Sequence, residues 1–352
     1  MTGIVVRATA TRRAPRLCLA VAATIATPLG ATQVWADDNS RFGVIEENDS
    51  IIFDTDKYYT QGIAFTYLGP DVAVDSGWIG PFNTLADFGP FDATGASSVS
   101  RRYEVLLGQS LFTPKDTARV DPDPDDRPYA GWLYGGVGLI QDTDRRRLDH
   151  LELLVGVIGP AALGKTTQND WHQFIDVEES RGWDNQLENE PGLVLSYERK
   201  WRLLQPLGGG FGVDAIPELG ITVGNVMDYV EAGGMLRFGR NLEADYGPAR
   251  IRPALSGTPY FNSDYLDGPF GFYLFVGAQG RAVARNLFLD GNTFEDSPSV
   301  DSDPFVADLS GGLSLFWGDM VKADAVAVYR TEEFEDQDRP TKFAGINVTI
   351  GF

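Results

Sequence analysis

The chain ends on a segment in which Ile346, Val348, Ile350 and Phe352 alternate with Gly345, Asn347, Thr349 and Gly351. A period of two places the apolar set on one face of a strand and the small or polar set on the other. The same alternation runs through 211–224, 230–238 and 321–330. There the second face carries Asp214 and Glu218, Glu231 and Arg237, and Lys322 and Asp324. Charged side chains do not pack in a dry core without partners. Such strands fit a sandwich with its polar face in water, or a barrel whose polar face lines a hydrated lumen. The alternation alone does not separate the two.

Segments of strand character start near residues 43, 58, 101, 128, 148, 190, 210, 227, 268, 283, 304, 320 and 342. No turn cluster separates 268 from 283, so those two are read as one long strand, leaving about twelve, an even number as single-chain bacterial barrels require. A chain that ends on an aromatic in an alternating strand resembles the assembly signal of such barrels. The expected fold is therefore all-β, a transmembrane antiparallel barrel. Parity then places 50–57, 113–127, 159–189, 224–226, 290–303 and 331–341 outside. Residues 69–100 and 241–267 fall on the periplasmic side, where both are long for turns.

The first 36 residues fit this reading. Arg7, Arg12, Arg13 and Arg16 precede an apolar stretch from Leu17 to Ala31, and Val34-Trp35-Ala36 offers a cleavage site before Asp37. That is the layout of a cleaved secretory signal. The stretch is shorter than the roughly 20 residues of a spanning helix, and it contains Pro28 and Gly30. The mature barrel is expected over 37–352. Cys18, the chain's one cysteine, would leave with the leader. Loss of the four arginines takes the formal charge from -21 to -25. That acidity excludes nucleic acid as a partner, because phosphate backbones demand clustered Lys and Arg. It leaves divalent cations as plausible company. A monomer is expected.

The 159–189 loop lacks strand alternation at its centre. Lys165 to Val177 suits a short helix, with Thr166 or Thr167 able to cap it. It carries His172, one of two histidines. Asp176 lies four residues on, on the same helical face, and Glu178 follows. A carboxylate that fixes the imidazole tautomer is what a general base requires. The other histidine, His150, opens a strand beside Asp149 and reads as a rim residue. In the second outer loop Asp121, Asp123, Asp125 and Asp126 follow Arg119. Such a run is either an acidic solvated loop or hard-oxygen ground for Ca²⁺. No serine sits in a Gly-x-Ser-x-Gly elbow, so a serine nucleophile has no positive signal.

Several stretches carry a specific resemblance: ENDS with the following DKYYTQGI, GQSLFTP, DRPYAGWLY, GVIGPAALG, QNDWH and GWDNQLENEPG, in order from residue 47 to 192. In these the sequence resembles the outer-membrane lipid A 3′-O-deacylase family. The resemblance implies a barrel of about twelve strands with an active site at the outer-leaflet level, between the wall and the loop helix. It implies Ca²⁺-dependent ester hydrolysis that releases the 3′-linked acyloxyacyl group of lipid A, with lipopolysaccharide of the outer membrane as partner. The family's essential histidine falls on His172 and its partner glutamate on Glu178. The Asn-Asp pair falls on Asn48 and Asp49, the threonine on Thr60, and the loop arginine on Arg119 only with one gap.

Geometry raises two questions. Residue i+6 lies about 240° around a helix from residue i, so Glu178 reaches His172 only if the helix ends and the chain folds back; otherwise Asp176 is the partner. Asn48 and Asp49 are consecutive and would face opposite sides of a strand unless the strand ends there. The expected chemistry has His172 deprotonating water with Glu178 orienting it. Asp49, with Asn48 and neighbouring oxygens, would hold Ca²⁺, while Arg119 or Lys165 would hold a lipid A phosphate. A Ca²⁺-dependent barrel phospholipase and a non-enzymatic small porin or adhesin are the alternatives.

Overall fold

The structure, a computed structural model, describes residues 40–53, 57–255 and 257–352. The expected leader over 1–36 lies outside the described residues. The strands are β1 (Arg41–Asn48), β2 (Tyr58–Leu68), β3 (Val99–Thr113), β4 (Ala130–Thr143), β5 (Arg147–Ile158), β6 (Glu190–Trp201) and β7 (Leu203–Gly208). They continue with β8 (Phe211–Gly224), β9 (Met227–Arg240), β10 (Phe270–Asn286), β11 (Phe305–Trp317), β12 (Val321–Arg330) and β13 (Thr341–Gly351). Among the described residues, four short α-helices join them: α1 (Ser50–Phe53), α2 (Gly80–Asp87), α3 (Gly164–Ile175) and α4 (Leu287–Asp290).

Apart from β6 and β7, each strand pairs antiparallel with its neighbours in sequence, and β1 also pairs with β13, from Arg41 opposite Gly351 to Asn48 opposite Ala344. Both β6 and β7 pair with β8, so they are successive lengths of one stave interrupted at Arg202. The sheet closes as a twelve-stave barrel. The merged strand is observed as β10, which runs unbroken across 283 with a bulge between Val283 and Arg285. The split of the sixth stave has no counterpart in the sequence reading.

The period of two now has a physical meaning on each face. Along β3, Val105 and Leu107 are 50% and 55% exposed on the outside, whereas Arg102, Glu104 and Leu106 are buried inside. The lumen is not the hydrated channel that the polar faces suggested. The connection between β9 and β10, placed by parity on the periplasmic side, begins and ends there but folds up into the barrel. Leu242, Tyr246, Ile251, Leu255, Tyr260 and Phe261 from it are all buried.

Its charges meet those of the strands. Arg250 Nε lies 2.8 Å from Glu47, and Arg252 reaches Glu198 at 2.7 Å and Glu152 at 3.2 Å. Asp245 takes Arg237 and Lys322, and Tyr246 and Tyr260 both donate to Asp142. Some inward charges are thus matched by partners on the inserted segment, and others pair strand to strand, as Lys200 does with Glu218 and Arg281 with Asp308, the condition for burying them at all. His150, expected at the rim, is instead buried in this packing at 1% exposure. The strand register decides this: His150 pairs with Ile140 and Glu198 and shares the inward face of Leu148 and Glu152.

Candidate active site

The loop between β5 and β6 folds back over the outside of the wall. Gly164, Gln168 and His172 recur every four residues and form the buried face of α3. The start of the helix lies against the outward side of β3 and β4, and glycines stand at the contact. A Cβ on Gly131 would lie 3.4 Å from Gly164 Cα, and one on Gly164 would lie 2.6 Å from the Trp183 ring. Trp183, Leu111 and Tyr129 form a small apolar cluster under the loop. Trp183 Nε1 donates to Gln168 Oε1 at 2.7 Å, and Gln109 on β3 donates to the Ala162 carbonyl at 2.6 Å. Asn169 and Ser180 exchange two hydrogen bonds that hold the returning chain against the helix.

The helix starts at Gly164 rather than Lys165, and neither threonine caps it. Leu163, in the left-handed region at φ 62°, is the N-cap residue, delivered by a 3₁₀ turn over Pro160–Ala162, and its hydrocarbon side chain has no acceptor to cap with. The end is sharper than expected. Asp176 takes φ 60°, its N–H and that of Val177 close on the His172 carbonyl, and the chain reverses. The Asp176 side chain is exposed. The reversal brings the Glu178 backbone carbonyl 2.8 Å from His172 Nδ1. A carbonyl oxygen only accepts, so Nδ1 carries a proton and donates it to that carbonyl. The Glu178 carboxylate itself turns away to Arg181, at 2.8 Å.

The Asn-Asp pair sits at the end of β1, which resolves the question of opposite faces. Asn48 is the last residue of the strand, and its Oδ1 accepts from the N–H and hydroxyl of Ser50 at 2.7 and 2.5 Å. Asp49 lies beyond it, 1% exposed, and its Oδ2 accepts from the Lys57 N–H at 2.7 Å. The Asp49 N–H reaches the Thr60 carbonyl at 3.4 Å. A bulge between Tyr59 and Gln61 releases Thr60 from the ladder, and its hydroxyl bonds that of Thr113 at 2.6 Å. Behind them, on the lumen side, Glu47 accepts from Tyr59 at 3.0 Å and from Arg250.

The strand register ties the two halves together. Asn48 pairs with Gln61, Gln61 with Leu111, and Leu111 with Gly131, the residue under the start of α3. Three strand spacings, about 14 Å, therefore separate Asn48 from the wall beneath the helix. Asn48, Asp49 and Thr60 thus gather at the loop end of β1 and β2, at the same end of the wall as the start of α3. Lys165 and Arg119 do not engage it. Lys165 pairs with Asp184 at 2.7 Å, and Arg119 pairs with Asp123 at 2.9 Å. Arg119 lines an open cleft of about 260 Å³ with Lys115 and five aspartates, among them Asp123, Asp125 and Asp126. Within it, burial raises the Asp126 carboxyl above the usual aspartate range.

Two residues, one on the wall and one on α3, escaped the sequence reading. Glu46 interrupts the outward series Phe42 and Val44, and its Oε1 accepts from Gln61 Nε2 at 3.1 Å. A charge on a lipid-facing position is costly, so this break in alternation was the available signal. Gln168 was the other, visible as the residue one turn before His172 on the same face.

Asp49, the Thr60 carbonyl and hydroxyl, and nearby backbone supply oxygen donors from an irregular turn, the donor type and setting that suit Ca²⁺. The Asn48 amide oxygen is turned to Ser50, so it is the weaker candidate ligand. Among the described residues, another group offers metal-ligating atoms within 4.8 Å of one another: Glu104, His150 and Glu152. It lies in the lumen, nine residues down β3 from Thr113, or about 30 Å along the strand. Arg252 donates to His150 Nδ1 at 2.8 Å, which leaves the ring proton on Nε2 facing Glu104.

A closed barrel with its lumen filled from within, and a polar cluster on the outside of its wall, defines the class: an outer-membrane β-barrel. The chain belongs to the LpxR family, whose model, described as outer membrane protein LpxR, matches residues 17–352. This is the lipid A deacylase family that the motifs of residues 47–192 resemble. The fold is similar to LpxR from Salmonella typhimurium, with a TM-score of 0.70 at 19% identity over 89% of this chain and 100% of that one. A weaker likeness joins it to the beta domain of the Bordetella autotransporter BrkA, at TM-score 0.40, 13% identity, and 89% and 98% coverage. An outer membrane channel from Pseudomonas putida F1 gives TM-score 0.42 at 9% identity, covering 93% and 100%. A comparison with curated protein sequences finds no match.

Proposed function

We propose that this protein is a lipid A 3′-O-deacylase, hydrolysing the ester that carries the 3′-linked acyloxyacyl group while the substrate stays in the outer leaflet. The observation that carries this reading is the His172 Nδ1 to Glu178 carbonyl bond. It sets the tautomer of a buried imidazole on the outside of the wall, the side from which a lipid arrives. His172 Nε2 takes the proton of an attacking water, and the Glu178 carbonyl stabilises the imidazolium that results. Glu178 thus serves through its backbone, with its carboxylate held on Arg181. Asn48 and Thr60 supply polar groups beside the attacked carbonyl, and the oxyanion forms where such fixed dipoles act most strongly. Asp49 would hold Ca²⁺, which when bound would polarise an ester carbonyl.

Arg119 and Lys165 reach a lipid A phosphate only by exchanging Asp123 and Asp184 for it. Both pairs are exposed and of low energetic worth, so such an exchange costs little. The reading as a porin or adhesin loses ground to the 241–269 segment, which occupies the lumen.

The test is mass spectrometry of lipid A from cells with and without the protein, alongside its His172→Ala variant. Loss of the 3′-linked acyloxyacyl mass only with the unaltered protein supports the reading. Unchanged lipid A together with released fatty acid from glycerophospholipids would make it a barrel phospholipase instead.

A further inference from the structure

The connection between β2 and β3, residues 69–98, does not hang below the barrel as a periplasmic loop. It climbs the outside of the wall, and the register shows what it covers. Three rows of outward residues cross β3, β4, β5 and β6. Val105, Val137, Leu153 and Leu195 form an apolar row that is 37–53% exposed. One step nearer the turn end lies Tyr103, Leu139, Leu151 and Tyr197, and one step further lies Arg101, Gln141, Asp149 and Arg199. Successive rows are about 7 Å apart along the strands. The wall therefore passes from lipid-facing apolar residues through aromatics to charge within about 14 Å, the profile of a membrane boundary.

Residues 69–98 lie on the second and third rows. The Tyr103 ring meets Trp78 and Phe82 at centroid distances of 6.0 and 5.4 Å, and its hydroxyl donates to the Trp78 carbonyl. Phe91 meets Tyr197 at 6.4 Å, and its carbonyl accepts from Gln141. Asp149, 0% exposed on an outward position, holds Tyr197, Arg147 and Arg199. The inner side of the segment is thus well anchored, through Phe82 and Phe91 at 0% exposure. Its outer side is not covered: Val74 and Phe88 are 80% exposed and Trp78 is 72% exposed.

We infer that residues 72–88 are a membrane-seated strap, with Val74, Trp78 and Phe88 inserted at the headgroup–acyl boundary of the leaflet opposite the active site. Continuity with the apolar row supports lipid as the occupant, because Trp78 packs on the row adjoining it. Tryptophan at such a boundary has its apolar body in acyl chains and its N–H in the wet layer. The strap would also keep the outward Asp149 and Gln141 out of hydrocarbon, where unpaired polar groups are expensive.

The experiment uses full-length protein in vesicles of phosphatidylethanolamine and phosphatidylglycerol. Cys18 is the one native cysteine, so Val74→Cys and Phe88→Cys can carry spin labels in a Cys18→Ser background, with Val105→Cys and Asp125→Cys as lipid and water references. Labels at 74 and 88 should collide with oxygen in preference to an aqueous nickel chelate, close to the behaviour at 105. Brominated lipids should quench less of the total tryptophan emission in Trp78→Phe than in the parent, and this second readout stands if a cysteine variant fails to assemble. Nickel collision at the level of 125, with Trp78 emission indifferent to brominated lipid, places the strap in water and overturns the inference. Shielding from both collision partners means that a second protein copy covers it, and overturns the inference equally.

Discussion

His172 Nδ1 lies 2.8 Å from the backbone carbonyl of Glu178, six residues later. The relationship exists because α3 stops at Ile175 and Asp176 takes a left-handed conformation that turns the chain back. A backbone acceptor fixes the imidazole as a carboxylate would, and it cannot be removed by changing the Glu178 side chain.

His172→Ala and His172→Asn should abolish lipid A deacylation and leave the barrel heat-modifiable in gel mobility. The loss should be at least about 10²–10⁴-fold, the contribution of a positioned base. Glu178→Gln should keep activity within a few-fold, since the orienting atom is main-chain. Loss as large as that of His172→Ala would transfer the role to the carboxylate.

His150→Ala should separate the two histidines. It lies in the lumen against Glu104 and Arg252, so it should lower the unfolding temperature and leave turnover per folded molecule unchanged. Arg252→Met should destabilise more, on the order of 3–5 kcal/mol, because it strands Glu152 and leaves Glu198 with Lys200 alone. Thermal unfolding in detergent measures both. Full stability of Arg252→Met would mean that the lumen charges are matched by water rather than by the inserted segment.

Chelation should stop turnover and Ca²⁺ should restore it, with Mg²⁺ a poor substitute. Oxygens drawn from a turn form an irregular shell, which Ca²⁺ accepts and near-octahedral Mg²⁺ does not. Asp49→Ala should raise the Ca²⁺ requirement or eliminate turnover, with Asp49→Asn intermediate. Purified protein titrated with each cation decides this, and full turnover in excess chelator would remove the metal from the chemistry.

Gly164→Ala should reduce activity without unfolding the barrel. The added Cβ meets the Trp183 ring at 2.6 Å and Leu111 at 3.1 Å, an overpacking worth about 1–3 kcal/mol that the loop can relieve by lifting α3 from the wall. Normal heat-modifiability with lowered kcat is the expected pair of results. Unchanged activity would show that the helix start tolerates displacement.

Deleting Phe352 should impair assembly. Its ring lies 6.3 Å from that of Tyr67 and closes the outward aromatic series at the seam where β1 meets β13. The folded fraction recovered in outer membranes measures the effect.

The sequence by itself determined the strands and the end of the barrel at which each connection emerges. A side-chain period of two is a local property, and parity follows from antiparallel pairing alone. It also carried the loop that holds His172 and the stretches that bear Asn48, Asp49 and Thr60, because those short motifs are contiguous. Only the tertiary structure decided where the long connections go. Residues 241–269 and 69–98 leave the barrel at the same end, yet one fills the lumen and the other climbs the outer wall. The difference lies in which wall residues each one meets: Glu47, Asp142, Glu152 and Glu198 inside, and Tyr103, Gln141 and Tyr197 outside. Those pairings join residues up to 204 positions apart, and no local pattern records them. The same holds for His150, whose strand position reads as a rim until the register and Arg252 place it in the interior. It holds too for Glu178, whose carbonyl reaches His172 through a chain reversal set by the φ of a single aspartate.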